Sequence, residues 1–200
     1  MQQYLSRLEA LLPEKRYQHS LRVAEEAKGL ARHYGASEEK AYLAGILHDA
    51  AKYLNPELLF QNFEFQCSDE LKAVYEEYPA VWHSYVGPIF VEQVFGISSS
   101  TIQSAIRWHT TGGAEMGLMD EILFVSDFIE PGRPFPEVTS IRDLAYQNLQ
   151  KAVLALSGIS IFSLLARGLK IHPNTMLCYN HYLITHGPVP MRPILGMRQA

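Results

Sequence analysis

Residues 41–52 read AYLAGILHDAAK, a helical pattern of apolar and small side chains that contains two adjacent polar residues, His48 and Asp49. Burying an imidazole and a carboxylate is costly unless each finds a partner, and one bound cation can serve both. Ala44 and Gly45 are small enough to let a second helix approach closely. The stretch therefore predicts a buried helix of a helical bundle and raises the question of further metal ligands elsewhere in the chain.

The composition is that of one soluble globular domain. The chain has 200 residues, of which 48% are hydrophobic and 19% are charged, and its net charge is −4 at pH 7. Lysine and arginine are scattered along the chain, which argues against a nucleic-acid partner because such binders carry a basic face. The two cysteines, Cys67 and Cys178, form neither a disulfide framework nor a metal-type spacing, and they indicate a reducing, cytoplasmic compartment.

Neither a targeting segment nor a membrane segment is predicted. The first residues lack a basic region followed by an apolar run, so we expect no signal peptide. The longest uncharged stretch, residues 152–166, is too short to span a bilayer and is interrupted by serines. We interpret this stretch as a buried core helix and predict no membrane partner.

Helical periodicity dominates the sequence, and convincing alternating strand patterns are absent, so the predicted fold class is all-α. The predicted helices span residues 4–12, 14–34, 37–55, 68–78, 84–95, 99–108, 118–129 and 141–169. Residues 1–186 form the predicted domain, and residues 187–200, with their prolines and arginines, form a C-terminal tail. That tail is either flexible or packed on a second subunit of a homodimer, and the sequence leaves both open.

Several polar residues share one property: each lies on an apolar helical stripe and is therefore expected to point into the bundle. These residues are His19, His48, His83, His109 and Asp127. One histidine in such a place is more often a hydrogen-bonded core residue than a metal ligand, but an aspartate is almost never fully buried unless it is paired. The set as a whole favours a metal centre between facing helices, and imidazole with carboxylate suits Fe, Mn, Zn, Co or Ni better than Ca or Mg.

The order of these residues resembles that of the HD-domain superfamily of metal-dependent phosphohydrolases. It resembles more closely the YqeK-type family, the symmetrical bis(5′-nucleosyl)-tetraphosphatases. The matching stretches are residues 15–24 (KRYQHSLRVA), 47–52 (LHDAAK), 82–83 (WH), 106–112 (IRWHTTG) and 127–133 (DFIEPGR). A His-Asp pair alone is weak evidence, whereas the ordered set with its HTTG and IEPGR segments is specific. The resemblance covers about residues 15 to 180 and implies an HD-domain helical bundle with the metal site between facing helices.

The resemblance assigns roles within the metal site. By resemblance, the core metal ligands are His19, His48, Asp49 and Asp127. The implied catalytic residues are His48, Asp49 and Lys52. His83 and His109 either complete a second metal site or contact phosphate, and both roles stay open. The implied cofactor is one or two divalent transition-metal ions, with iron as the first candidate and Mn, Co, Ni or Zn as alternatives.

Further residues are expected to contact the substrate. They are Ser20, Lys52, His83, His109, Thr110, Thr111, Asp127, Arg133, Lys170, Ile171, His172 and Thr175. Lys52 and Arg133 are suited to hold phosphate oxygens, and the hydroxyl and backbone N–H groups after His109 can bind an anion. Each has an ordinary alternative: Lys52 in a salt bridge at the rim, Arg133 as a surface arginine, and residues 170–175 as a plain connection.

The reaction implied by the resemblance is symmetrical cleavage of a dinucleoside polyphosphate, diadenosine tetraphosphate, to two ADP by a metal-bound hydroxide. The residues themselves support only metal-dependent hydrolysis of a phosphate ester or anhydride. Symmetrical cleavage and adenine preference rest on the resemblance. One alternative is another HD-domain nucleotide phosphohydrolase or phosphodiesterase, and the other is a catalytically inactive nucleotide-sensing module. Against the inactive module, every recognised ligand position of the pattern is retained.

Overall fold

The computed structural model describes residues 1–56 and 69–190, and this part of the chain is built from α-helices without a β-strand. The predicted all-α class is therefore confirmed. The helices are α1 (Gln2–Leu11), α2 (Glu14–His33), α3 (Glu38–Leu47), α4 (Asp69–Glu77), α5 (Trp82–Phe95), α6 (Ser100–Trp108), α7 (Leu118–Ile129), α8 (Val138–Gln147), α9 (Leu149–Ala166) and α10 (Pro173–His186). A short 3₁₀ turn, Pro79–Val81, leads into α5.

Two long helices, α2 and α9, organise the bundle. Helix α2 packs against α3 and α7, while α9 packs against α7, α8 and α10. The contact between α2 and α3 is close because of Gly45, as its small size predicts. A Cβ atom at Gly45 would lie 2.5 Å from the Cα atom of Ala24, so a side chain there would force the two helices apart. This packing brings the end of α3 against α2, where the rings of His48 and His19 lie 5.3 Å apart.

The helix predicted over residues 37–55 ends earlier, so its predicted C-terminus is wrong. Helix α3 ends at Leu47, and His48 and Asp49 lie in a series of turns. The imidazole Nδ1 of His48 lies 2.7 Å from the carbonyl oxygen of Gly45, and it competes for that acceptor with the backbone N–H of Asp49. The backbone hydrogen bonds that follow have the shorter i→i−3 spacing of turns.

The single helix predicted over residues 141–169 is also wrong, because two helices, α8 and α9, occupy this region. Asn148 separates them with an extended backbone (φ −159°, ψ 103°), and its side chain accepts a hydrogen bond from the backbone N–H of Lys151. Asparagine is a preferred N-cap residue because its oxygen satisfies a free N–H group of the first helical turn. The only mark of this helix boundary that we find in the sequence is thus Asn148, an N-capping residue type.

Helix α10 is not among the predicted helices, because residues 170–175 read as a connection with helix-breaking residues. Pro173 occupies the first position of α10, where the missing N–H of proline costs nothing. His172 is the N-cap, and its Nδ1 accepts a hydrogen bond from the backbone N–H of Asn174 at 3.1 Å. A new helix, rather than a loop, therefore begins at the residues expected to contact the substrate.

Of the described helices, α9 alone is long and apolar enough to cross a membrane, judged by length and composition. Most of its N-terminal half, from Leu149 to Ser157, is buried against the rest of the bundle, and a core helix passes the same test. The structure therefore supports the core-helix interpretation for the first part of residues 152–166, up to Ile159, whereas Phe162 and Leu165 in the second part are exposed. The first residue of the helix predicted at 68–78, and the predicted tail beyond Pro190, lie outside the described residues.

Candidate metal centre and adjoining cleft

Three elements bring the predicted core ligands together. His19 comes from α2, Asp127 from α7, and the His48–Asp49 pair from the turn after α3. Nε2 of His19 lies 3.0 Å from Oδ1 of Asp127. Nε2 of His48 lies 3.8 Å from the same oxygen and 3.3 Å from Oδ2 of Asp49. Two imidazoles and two carboxylates therefore face one another, a donor set suited to a divalent transition metal.

The hydrogen-bonding state of these atoms tests whether a metal fits. Nε2 of His19, Nε2 of His48 and Oδ1 of Asp49 are buried and have no hydrogen-bond partner among the described residues. Buried polar atoms are normally paired, and each unpaired one is destabilising. A cation among them would satisfy the imidazole lone pairs and the carboxylate charge at once. The residues present therefore fit a divalent metal ion.

A second group of potential ligands shares Asp49 with the first. Oδ1 of Asp49 lies 3.2 Å from Nε2 of His83 and 3.6 Å from Nε2 of His109, and these two nitrogens are 3.1 Å apart. The ammonium of Lys52 lies 2.9 Å from the same His83 nitrogen. The hydroxyl of Thr110 lies 2.8 Å from Nε2 of His109 and 3.2 Å from Nε2 of His83. The structure thus joins the predicted pair of extra histidines to the core ligands.

The histidine rings are oriented by their Nδ1 atoms. His48 and His109 each directly follow the last residue of a helix, and each Nδ1 lies 2.7 Å from the backbone carbonyl oxygen three residues earlier. A carbonyl oxygen can only accept, so Nδ1 carries the proton and Nε2 presents a lone pair. Fixing the tautomer in this way is how proteins prepare a histidine for a metal.

Glu130 orients the third ring and was missed by the sequence analysis. Its Oε1 lies 3.1 Å from Nδ1 of His19, while its Oε2 accepts hydrogen bonds from Nε of Arg22 and from the backbone N–H of Gly132, both at 2.6 Å. The IEPGR segment is part of the resemblance, but the sequence alone indicates Glu130 only as the first residue of a loop. Its partner His19 is 111 positions away, and spacing along the chain carries no signal of that contact.

Arg16, which flanks His19 in the sequence as a weaker candidate for phosphate binding, instead contacts a predicted metal ligand. Its guanidinium donates to Oδ2 of Asp49 at 2.9 Å and leaves Oδ1 of that carboxylate facing the histidines. Arg16 lies one turn before His19 on α2, so the same helix delivers a ligand and a support for another ligand.

The pKa shifts of the two carboxylates and of the His83–His109 pair favour the forms that ligate metals, whereas at His48 burial is outweighed by the charges of Asp49 and Asp127, which raise its pKa. Burial alone would raise the pKa of Asp49, but His48 and the imidazoles of His109 and His83 that face the carboxylate hold it well below its usual range. At Asp127 burial is likewise outweighed by the facing imidazole and by nearby charges, so its pKa is lowered. Burial lowers the pKa of His83 to about 3 and also lowers the pKa of His109. At pH 7 both carboxylates are ionised and this imidazole pair is neutral, the forms that ligate metals.

A cleft of about 1040 Å³ opens at the edge of the clusters. Its polar end is formed by Asp127, His109, Thr110 and Arg133. Much of the remaining wall is apolar and includes Phe124, Phe128, Phe135, Leu156 and Ile159. The start of α10 contributes buried His172 and Thr175. A cleft of this size and lining holds a small organic ligand, with polar groups at one end to fix its orientation.

Most residues predicted to contact the substrate reach this cleft or the clusters. Those on the cleft wall are His109, Thr110, Asp127, Arg133, Lys170, His172 and Thr175. Lys52 and His83 lie on the second cluster, behind the polar end. Lys170 is on the exposed rim, where its ammonium forms an ion pair with Glu77. Arg133 donates to the backbone carbonyl of Asp127 at 2.8 Å and to its carboxylate at 2.5 Å.

Three other predicted residues lie elsewhere, since the described lining of the cleft does not include Ser20, Thr111 or Ile171. Ser20 is fully buried in α2, and its hydroxyl has no hydrogen-bond partner among the described residues. The hydroxyl of Thr111 donates to the carbonyl oxygen of Gly112 at 2.9 Å. Their predicted contact with substrate stays a prediction.

Fold and site together define a class of protein: an all-helical domain with a buried His/Asp metal centre beside a ligand-sized cleft. Residues 16–145 match the HD domain family. The chain is 36% identical over 174 residues to a symmetrical bis(5′-nucleosyl)-tetraphosphatase of Staphylococcus aureus, which covers 86% of this chain and 88% of that protein. It is 34% identical over 170 residues to a protein of the same name from Bacillus subtilis, with coverage of 84% and 90%.

A solved structure agrees with these relatives. The crystal structure of a predicted HD superfamily hydrolase involved in NAD metabolism from Clostridium acetobutylicum matches with a TM-score of 0.83 at 34% identity, covering 92% of this chain and 96% of that one. The chain therefore belongs to the HD-domain family and, within it, to the family of symmetrical bis(5′-nucleosyl)-tetraphosphatases. The resemblance inferred from the ordered His and Asp residues is confirmed.

Proposed function

We propose that this protein is a metal-dependent hydrolase that cleaves diadenosine tetraphosphate symmetrically to two ADP. The observation that carries the proposal is the buried cluster, with its unpaired imidazole nitrogens, at the polar end of a ligand-sized cleft. Family membership supplies the substrate, since the curated relatives bear the name of that activity.

The core ligands of the metal in this proposal are His19, His48, Asp49 and Asp127. These residues would hold a divalent ion, which would supply Lewis-acid chemistry by activating water near neutral pH and by neutralising charge on the phosphate. Iron is the first candidate by family resemblance. Mn, Co, Ni and Zn are alternatives that the same nitrogen and oxygen donors accept.

The chain supplies its own cations for the phosphates. The guanidinium of Arg133 is held at the polar end of the cleft by the backbone carbonyl and the carboxylate of Asp127. Its planar fork suits two oxygens of one phosphate group. Lys52 adds a positive charge beside His83. These groups would hold the tetraphosphate chain against the ligands while the central P–O–P bridge is cleaved.

The apolar wall of the cleft supports binding of the nucleoside. Phe124, Phe128 and Phe135 present apolar surface next to the polar end, so a base can be buried while the phosphates stay at the ligands. His172 and Thr175 bring the start of α10 to the wall of the same cleft. By resemblance, Lys170, His172 and Thr175 are expected to contact the substrate, and their place in the lining of the cleft supports that role.

The same proposal sets the partners and the compartment. A small nucleotide is the expected partner, rather than nucleic acid or a membrane, since the net charge is −4 and the basic residues are scattered. The cytoplasm is the proposed location, since the two cysteines form no disulfide framework. A homodimer stays a prediction.

Product analysis tests the function directly. Metal-loaded protein is incubated with diadenosine tetraphosphate in ¹⁸O-labelled water, and the products are separated and weighed by mass spectrometry. We expect ADP as the sole product, with label in one of the two molecules formed per substrate. ATP with AMP, or no product, would contradict the proposal. His48→Ala and Asp127→Asn should be inactive, while His181→Ala, on the exposed face of α10, serves as the matched histidine control.

A substrate panel separates the alternatives. Nucleoside monophosphates, nucleoside triphosphates and a cyclic dinucleotide are offered to the same preparation under the same conditions. Faster hydrolysis of any of these identifies another HD phosphohydrolase or phosphodiesterase. Binding of diadenosine tetraphosphate without hydrolysis by any metal-loaded form identifies a sensing module.

A further inference from the structure

The two ligand clusters that share Asp49 differ in how their imidazole nitrogens are satisfied. In the first cluster, the buried Nε2 atoms of His19 and His48 have no hydrogen-bond partner among the described residues. In the second cluster, the Nε2 atoms of His83 and His109 both have partners. The first cluster therefore presents lone pairs that fit a cation, whereas the second already contains donors.

The donors of the second cluster are Lys52 and Thr110. The Nζ atom of Lys52 lies 2.9 Å from Nε2 of His83 and 3.6 Å from Oδ1 of Asp49. The hydroxyl of Thr110 lies 2.8 Å from Nε2 of His109. An ammonium group has three donors and no acceptor, so it suits a site where lone pairs converge. Lys52 thus provides the positive charge that a second metal ion would provide, together with a hydrogen bond to His83, while Thr110 serves His109.

We propose that Lys52 takes the place of a second metal ion, so that each chain binds one ion at the core ligands and uses the ammonium as the cation of the second cluster. The proposal deepens the proposed function, because it states how the same site is charged. The number of ions is nevertheless measurable without any substrate.

Geometry makes Lys52 and a second ion mutually exclusive. A metal ion bound to an imidazole lies about 2.0–2.1 Å from its nitrogen. Nζ of Lys52 already lies 2.9 Å from the only His83 nitrogen that faces the cluster. Two positive charges at such separations repel each other strongly in a buried site. Occupation by one therefore requires the departure of the other.

The early end of α3 is what delivers Lys52 to this place. Because the helix stops at Leu47, residues 48–53 form turns with i→i−3 hydrogen bonds, among them one from Lys52 N–H to the carbonyl of Asp49. The Lys52 side chain and the Asp49 carboxylate consequently lie on one side of the turn and 3.6 Å apart. The turn thus supplies a metal ligand and a fixed cation three residues apart.

Metal counting tests the proposal. Chelator-treated protein is titrated with Mn²⁺, and bound ions are counted by elemental analysis and by electron paramagnetic resonance, which separates a single ion from a coupled pair. We expect one ion per wild-type chain. Lys52→Met should take up a second ion, with an affinity about tenfold or more above any second binding to the wild type. The double variant Lys52→Met/His83→Ala should return to one ion.

Matched variants separate the effect of the Lys52 charge on the number of bound ions from an effect on folding. Lys52→Arg keeps a cation at the cluster and should bind one ion, and Lys40→Met, an exposed lysine of α3, should also bind one. A coupled pair of ions in the wild type would overturn the proposal. So would a Lys52→Met protein that melts like the wild type and binds only one ion. If Lys52→Met does not fold, the count for the wild type decides alone. Loss or absence of hydrolysis does not affect these counts, so the proposed function and this proposal fail separately.

Discussion

Glu130 lies 3.1 Å from Nδ1 of His19, while Nε2 on the opposite side of that ring faces Asp127 at 3.0 Å. Two carboxylates therefore contact the two nitrogens of one imidazole, and a metal ion held by Asp127 and His19 would be supported from behind by Glu130. Burial would raise the pKa of Glu130, but hydrogen bonds from Arg22, from the Gly132 backbone and from His19 lower it, so the group is ionised at pH 7. An ionised acceptor at Nδ1 fixes the tautomer and increases the basicity of Nε2.

Glu130→Gln is expected to weaken metal binding without abolishing it. The amide oxygen can still accept from His19, but the negative charge that increases the basicity of the ring is lost. Loss of such a supporting group typically costs about 10–100-fold in metal affinity. The dissociation constant for Mn²⁺, measured by competition with a chelating dye, should rise by that factor. Glu9→Gln, on the exposed face of α1, is the control, and an unchanged constant for Glu130→Gln would contradict the assigned role.

Gly132→Ala should disturb the hydrogen bond from Arg22 to Glu130, and through it the orientation of His19. A Cβ atom at this position would lie 2.6 Å from Nε of Arg22, the atom that donates to Glu130. We expect weaker metal binding in the same assay, in the same direction as for Glu130→Gln. In an Arg22→Ala background the added effect of Gly132→Ala should largely vanish, because the clashing side chain is gone. Gly117→Ala is the control, since its Cβ would meet nothing closer than 3.8 Å.

The parts of this site that the sequence predicts are those carried by helical periodicity. His19 and Asp127 lie on apolar helix faces, so their inward direction follows from spacing alone. Periodicity does not show where a helix stops when a side chain competes for a backbone acceptor, as His48 does at Gly45. Nor does it show contacts between distant segments, such as that of His19 with Glu130. The end of α3 and the contact of His19 with Glu130 could therefore be identified only in the folded structure.

Acid should destabilise the metal-free protein partly through His83. Burial lowers the pKa of His83 from 6.5 to about 3, so between these values the unfolded chain binds a proton that the folded chain does not. The free energy of unfolding therefore falls as the pH falls through this window, by up to about 1.4 kcal/mol per pH unit from this group. Urea unfolding of chelator-treated protein between pH 4 and pH 7 measures the slope.

His83→Gln should make that slope shallower, because glutamine does not titrate. His181→Gln, which replaces an exposed histidine of α10, should follow the wild type. Equal slopes for the wild type and His83→Gln would show that the buried imidazole takes up a proton in the folded state.

Tyr182→Phe should loosen the helix that borders the cleft. The hydroxyl of Tyr182, on α10, donates at 2.6 Å to Glu121 of α7, whose other carboxylate oxygen accepts from Gln150 at 2.8 Å. Without the hydroxyl the buried carboxylate loses a donor, which costs about 1–3 kcal/mol and lowers the melting temperature by about 2–4 °C per kcal/mol. Because α10 also carries Thr175 into the cleft, KM for diadenosine tetraphosphate should rise more than kcat falls.

Tyr146→Phe is the control for this prediction, since the hydrogen bond of Tyr146 to Glu26 is long and exposed. Equal stability of the two variants would show that the hydrogen bond from Tyr182 to Glu121 does not stabilise the contact between α10 and α7.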